Sequence, residues 1–187
     1  PHYWRWDAHA LRDFSTLERL LTQPRVLCMY LWQIVVPLPG QMPFYYDWIQ
    51  PSRSLIQPWT TLPALLVVAG LLCVAWAVRR PLPLFSLGVF LFFSAHFIAS
   101  NVVALELAFE HRNYFALIGA VLAVGSLVER GCRRMQLRRA MLGLVCAVVL
   151  GALAGATLLR AQAWSSTIGM LEAGTGAAPG SARAWVG

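Results

Sequence analysis

Long apolar runs separated by short polar clusters are the dominant pattern in this chain. Leu62–Val78 is apolar and ends at Arg79-Arg80, Pro81 and Pro83 turn the chain, and Leu84–Ser100 runs back. A third run extends from about His111 to Val128, and a fourth covers Met141–Leu159. Each approaches the about 20 residues that carry a helix across hydrocarbon. Together they predict four transmembrane helices.

The first 59 residues read differently. Leu17, Leu20 and Leu21 have helical spacing among Asp13, Glu18 and Arg19, and Ser15 or Thr16 with Glu18 makes an N-terminal cap. An aromatic-rich amphipathic helix of this kind lies in a membrane interface or packs on other parts of a larger protein. Val26–Pro39 is apolar but too short to cross straight, so a re-entrant or interfacial segment is expected. Pro37, Pro39, Gly40 and Pro43 then open an aromatic loop, Phe44-Tyr45-Tyr46-Asp47-Trp48, at headgroup level. Asp47 there is either a solvated loop acid or a contact for a sugar or lipid headgroup.

Composition agrees with a membrane. Of 187 residues 58% are hydrophobic and 12% charged, about half the charge of a soluble domain. The formal charge is +7, and no lysine is present. The arginines stand at the ends of apolar runs, which reads as topology; no nucleic-acid partner is expected. Arg79, Arg80 and the arginines between 130 and 139 fall on one side of a four-span count. The positive-inside rule makes that side cytoplasmic. The aromatic loop, the region from Glu106 to Tyr114 and the C-terminus are then extracytoplasmic. Cys28, Cys73, Cys132 and Cys146 form no CxxC pair and read as small hydrophobes. Ala147, Gly151 and Gly155 let helices approach closely, with packing inside the chain expected ahead of dimerisation.

The chemistry concentrates in Leu105–Tyr114, where Glu106, Glu110, His111, Arg112, Asn113 and Tyr114 stand between apolar runs. Charge beside hydrocarbon is costly and is commonly kept for binding, chemistry or ion passage. On a helix Glu106, Glu110 and Tyr114 would share a face, with the helix ending or bending near Glu110. A structural alternative is a Glu110–Arg112 pair that steadies a helix junction with His111 as a cap. His96, alone inside its run, is more often an interhelical hydrogen-bonder than a ligand. The tail beyond Arg160 is not transmembrane. Trp164, Ile168 and Leu171 have helical spacing, Gly174, Gly176 and Pro179-Gly180 break it, and Ser181–Trp185 opens another element.

Three segments together resemble one family. They are Leu20-Leu21-Thr22-Gln23-Pro24-Arg25-Val26 with Tyr30-Leu31, the Glu110-His111-Arg112-Asn113-Tyr114 run, and Pro179-Gly180-Ser181-Ala182-Arg183-Ala184. In this order they resemble the membrane domain of the TMTC-type O-mannosyltransferases and their bacterial relatives. These are glycosyltransferases of the GT-C class that continue into tetratricopeptide repeats. The chain departs from the pattern at Ala99, where relatives commonly carry an acid nearby, and at Ala104, where they carry proline. The resemblance implies that this is the C-terminal part of such a membrane domain, in the inner membrane of a bacterium. It implies transfer of a sugar from a polyprenyl-phosphate donor to a protein or glycan acceptor on the extracytoplasmic face. The usual catalytic acid of such enzymes would then lie upstream of Pro1.

The fold class expected is therefore an all-α integral membrane protein. Interfacial or re-entrant helices and the aromatic loop occupy 1–59, a transmembrane helical bundle 60–160, and a tail opening a tetratricopeptide-like repeat 161–187. Arg112 with His111 is the candidate for the donor phosphate, since arginine binds phosphate bidentately and stays charged. Glu110 orients Arg112 or acts as an acid or base. Asn113 and Tyr114 meet sugar hydroxyls, and Glu106 supports the group. No cofactor or metal is indicated. Two other classes remain open: a non-catalytic anchor for periplasmic repeats, and a transporter, for which charges recurring at mid-span would be the signature. The absence of a glycine-rich phosphate loop argues against a cytosolic nucleotide-sugar enzyme.

Overall fold

The computed structural model describes residues 15–38, 46, 48–97, 107–108, 113–136 and 139–163, with isolated positions in the tail. The described residues form five helices and no strand: α1 Thr16–Val35, α2 Thr61–Ala77, α3 Pro83–Phe97, α4 Asn113–Arg134 and α5 Arg139–Ala163. The apolar runs and the helices coincide closely for α2, α3 and α5. Two of the helices, α4 and α5, are long and apolar enough to cross a membrane; α2 and α3 are apolar but shorter. The chain is thus an all-helical protein with two candidate membrane-spanning helices.

α1 is one continuous helix where two segments were expected. Ser15 begins it with a capping box: the Glu18 N–H donates to Ser15 Oγ, and the Ser15 N–H donates to the Glu18 carboxylate at 2.7 Å. Pro24 lies inside the helix, where it removes one N–H and crowds the carbonyl four residues back. The neighbouring side chains brace that turn from outside. Gln23 Nε2 donates to the Leu107 carbonyl at 3.2 Å, and Arg25 Nη1 donates to the Gln50 carbonyl at 2.8 Å.

The buried face of α1 is polar. Thr16, Arg19, Thr22, Gln23, Val26, Leu27, Tyr30 and Gln33 are buried, while Leu17, Trp32 and Val35 face outward. Burying hydroxyls, amides and a guanidinium is costly unless they are hydrogen-bonded.

α3 and α4 make the tightest contact. On α4, Ala116, Gly119, Ala120 and Ala123 are all buried and repeat at i, i+3, i+4 and i+7. On α3 the matching surface is Gly88, Val89 and Phe92. A Cβ on Gly88 would stand 2.5 Å from the Gly119 carbonyl oxygen, and one on Gly119 would stand 2.6 Å from the Phe92 nitrogen. The two backbones touch at these positions, so only glycine fits. α2 joins this pair through Ser86, whose hydroxyl donates to the Ala75 carbonyl at 2.7 Å.

The Arg79-Arg80 turn and the C-terminal end of α4 lie at one end of this group. A cleft of about 220 Å³ there is lined by Pro81–Phe85 from one side and by Ser126, Glu129, Arg130 and Arg133 from the other. The two arginine groups that hydropathy assigned to one side therefore do share an end. At the opposite end lie the beginning of α2, the end of α3 and the beginning of α4. α1 packs at that end, meeting α2 at Ala64 and α3 at His96. Among the described residues packing does not extend to α5: none of its apolar stretch is buried, and a Cβ on Gly151 or Gly155 would meet nothing within 4 Å. The expected intrachain partner for the Ala147, Gly151 and Gly155 stripe is not found among the described residues.

Candidate functional site

Most of the described buried polar side chains lie at the end away from the arginine turn, Ser86 near that turn being the exception. The first group is a hydrogen-bond ladder. Thr22 Oγ1 donates to the Glu18 carbonyl at 2.6 Å and accepts from the Ser52 N–H at 2.7 Å. Thr61 Oγ1 donates to Ser52 Oγ at 2.8 Å, and Arg25 Nη1 donates to the same oxygen at 3.2 Å. Thr22, Ser52 and Thr61 are essentially fully buried. The ladder pins the 50–52 segment between α1 and the start of α2.

The second group centres on His96. The ring is buried at the last turn of α3, stacked on Tyr30 of α1 with centroids 5.3 Å apart and tilted against Phe92 at 4.7 Å. Nδ1 lies 3.0 Å from the Phe92 carbonyl, and Nε2 lies 3.1 Å from Asn113 Oδ1. With Nδ1–H donating to the carbonyl, a neutral ring needs a donor at Nε2, which the Asn113 amide supplies when its NH2 faces the ring. Three helices are tied at this point. The interhelical hydrogen-bonding role expected of His96 is the one found.

The residues proposed from sequence divide between described and undescribed parts. Asn113 is bonded to His96, while the Tyr114 ring points outward and is 74% exposed. Glu106, Glu110, His111, Arg112 and Asp47 lie outside the described residues, as do Trp164, Ile168, Leu171 and Ser181–Trp185 of the tail. In the aromatic loop Tyr46 is buried, and its hydroxyl accepts from Gln33 Nε2 at 3.2 Å. Tyr46 thus serves the interior, and Trp48, the other described ring of the loop, is exposed.

Sequence reasoning missed the ladder, although its signal was present. Arg19, Thr22, Gln23, Tyr30 and Gln33 recur at helical spacing, and Thr22, Gln23, Arg25 and Tyr30 belong to the segment that carries the family resemblance. In the structure each of these last four holds another part of the chain: Ser52, Leu107, Gln50 and His96 respectively.

A further cleft of about 350 Å³ lies between α1, the 48–49 segment and the first turns of α2, with Arg25 and Thr60 in its lining. Partial burial lowers the Arg25 guanidinium from its ordinary value, and it remains a cation at physiological pH. The four cysteines are free; Cys28, beside this cleft, has its thiol pushed up by burial. Among the described residues no three His, Cys, Asp or Glu side chains come together to hold a metal. Compared with protein families, curated proteins and solved structures, the chain matches none.

Proposed function

We propose that this chain is part of the membrane domain of a GT-C-class glycosyltransferase that takes a sugar from a polyprenyl-phosphate donor. The reading rests on the family resemblance of the three segments and on one structural observation. Apart from Ser86, the buried polar side chains among the described residues lie toward one end of the helix group, where His96 and Asn113 bond to one another. Those two residues bracket the stretch carrying Glu106, Glu110, His111 and Arg112. A site at one boundary suits a lipid-linked substrate, whose phosphate stays at headgroup level while its chain stays in hydrocarbon. A transporter instead needs polar groups along the depth of its helices.

In this scheme Arg112 and His111 take the donor phosphate, Glu110 steers Arg112 or handles a proton, and Asn113 and Tyr114 meet the sugar. The acceptor is a protein or glycan on the extracytoplasmic face, and the protein is a multi-pass component of a bacterial inner membrane with its C-terminus outside. The test is transfer from a radiolabelled polyprenyl-phosphate sugar by the full-length parent, wild type against Arg112→Ala at matched expression. Loss of a fixed phosphate contact lowers turnover about a hundredfold or more, and Arg112→Lys recovers part of it. Unchanged turnover assigns the cluster to scaffolding. No turnover by the wild type with any donor leaves the anchor for periplasmic repeats as the function.

A further inference from the structure

We propose that the cleft between α1 and α2 is a binding site for an anionic membrane phospholipid, with its phosphate on Arg25 and one acyl chain in the groove. The proposal stands apart from the transferase reading, because the cleft shares no residue with the His96–Asn113 pair. Three observations carry it.

The first is a cation built into an apolar wall. Arg25 is positioned by the Gln50 carbonyl and Ser52 Oγ through Nη1 alone, and its remaining N–H groups stay available. A guanidinium with free donors beside hydrocarbon is matched by a phosphate, which offers several acceptor oxygens. The second is Thr60, whose hydroxyl is buried in the same lining with no hydrogen-bond partner among the described residues. Buried hydroxyls are normally bonded, and a turn of the Thr60 side chain would offer this one to an acceptor in the cleft that Arg25 also lines. The third is the shape of the rest of the wall. Met29 of α1 and Pro63, Ala64 and Val67 of α2 continue the lining with apolar side chains. Trp48 lines the cleft and Trp59 directly precedes Thr60 of its lining; both rings are exposed. Indole rings favour the headgroup level, which places Arg25 at phosphate depth and Val67 at acyl depth. A volume of about 350 Å³ holds a head-proximal length of one chain.

The test uses the full chain purified in detergent and returned to nanodiscs of phosphatidylcholine with or without phosphatidylglycerol. Lipid retained after gentle release is counted by native mass spectrometry. Wild type retains a single phosphatidylglycerol in preference to phosphatidylcholine. Arg25→Gln lowers that retention about tenfold, the scale of one charge-assisted contact. Val67→Trp, on an exposed part of α2, fills the groove and lowers it similarly while leaving the Arg25 contacts in place. Helical content by circular dichroism confirms that each variant is folded. Equal retention of both lipids, or retention untouched by Val67→Trp in a folded protein, overturns the proposal. So does complete displacement of phosphatidylglycerol by an equimolar polyprenyl-phosphate sugar, which would make the cleft a donor site.

Discussion

α4 and α5 have the same sequence signal and opposite surroundings. Both are long and apolar, and both carry small residues one helical turn apart. On α4 the stripe Ala116, Gly119, Ala120 and Ala123 meets Gly88 and Phe92 of α3 so closely that the backbones touch. On α5 the stripe Ala147, Gly151 and Gly155 faces open space. Hydropathy and length therefore state that a helix suits hydrocarbon. Close packing needs a second surface with a gap at the same height. Gly88 supplies that gap on α3, and nothing described supplies one for α5.

The comparison is broken most severely at the touching backbones. Gly88→Leu or Gly119→Leu drives a side chain into a neighbouring main chain, where no rotamer relieves the clash; the expected loss is about 3 kcal/mol or more. Gly151→Leu on α5 should leave the melting temperature within experimental scatter. Thermal unfolding in detergent, followed by circular dichroism, reads both. Equal losses at Gly119 and Gly151 would mean that α5 has a tight partner.

His96→Ala comes next. It removes two hydrogen bonds and a stacking partner shared by α1, α3 and α4, at a cost of about 1–3 kcal/mol. His96→Asn, which can still reach one neighbour, should recover part of the loss. Ser52→Ala takes the shared acceptor from Arg25 and Thr61 and costs about 1–2 kcal/mol in the same assay. A neutral result at Ser52 would disprove the ladder as the clamp on the 50–52 segment.

The smallest effect lies at the cap of α1. The Ser15 N–H, and then its hydroxyl, hold the Glu18 carboxyl below its ordinary value near 4.5. A carboxyl lowered in the folded state adds stability above its unfolded value, and that increment fades as pH falls through the lower folded one. Glu18→Gln should therefore flatten the acid side of the stability curve slightly, with the residual difference from wild type constant between about pH 6 and 8. Because Glu18 is solvent-exposed, the increment is small.

Much of the helical frame was legible in the sequence. Apolar runs ending at Arg79-Arg80 and at the arginines after Val128 define α2, α3, α4 and α5, because length and hydropathy are properties of each segment alone. The Ser15–Glu18 cap was equally local. Partnership was not legible. The stripe on α4 went unremarked while that on α5 drew attention, since spacing is the same with or without a neighbour. The continuity of α1 through Pro24 was not legible, because the braces at Gln23 and Arg25 come from Leu107 and Gln50, far along the chain. The polar face of α1 was not recognised as an inward one for a related reason. Threonine and glutamine at i, i+3 and i+4 look alike whether they meet solvent or Ser52. Asn113 and His96 were each singled out, and their bond, across 17 positions, needed the fold.

On the proposed topology the polar end of the helix group faces away from the cytoplasm and the arginine end toward it. That orientation is tested most directly by single-cysteine labelling in a chain whose Cys28, Cys73, Cys132 and Cys146 are replaced by alanine. Leu55→Cys reports the polar end and Met135→Cys the arginine end, both at exposed positions. With a membrane-impermeant maleimide on right-side-out vesicles, Leu55→Cys should label at once and Met135→Cys only after permeabilisation. The opposite pattern would contradict the account, and so would immediate labelling at both ends.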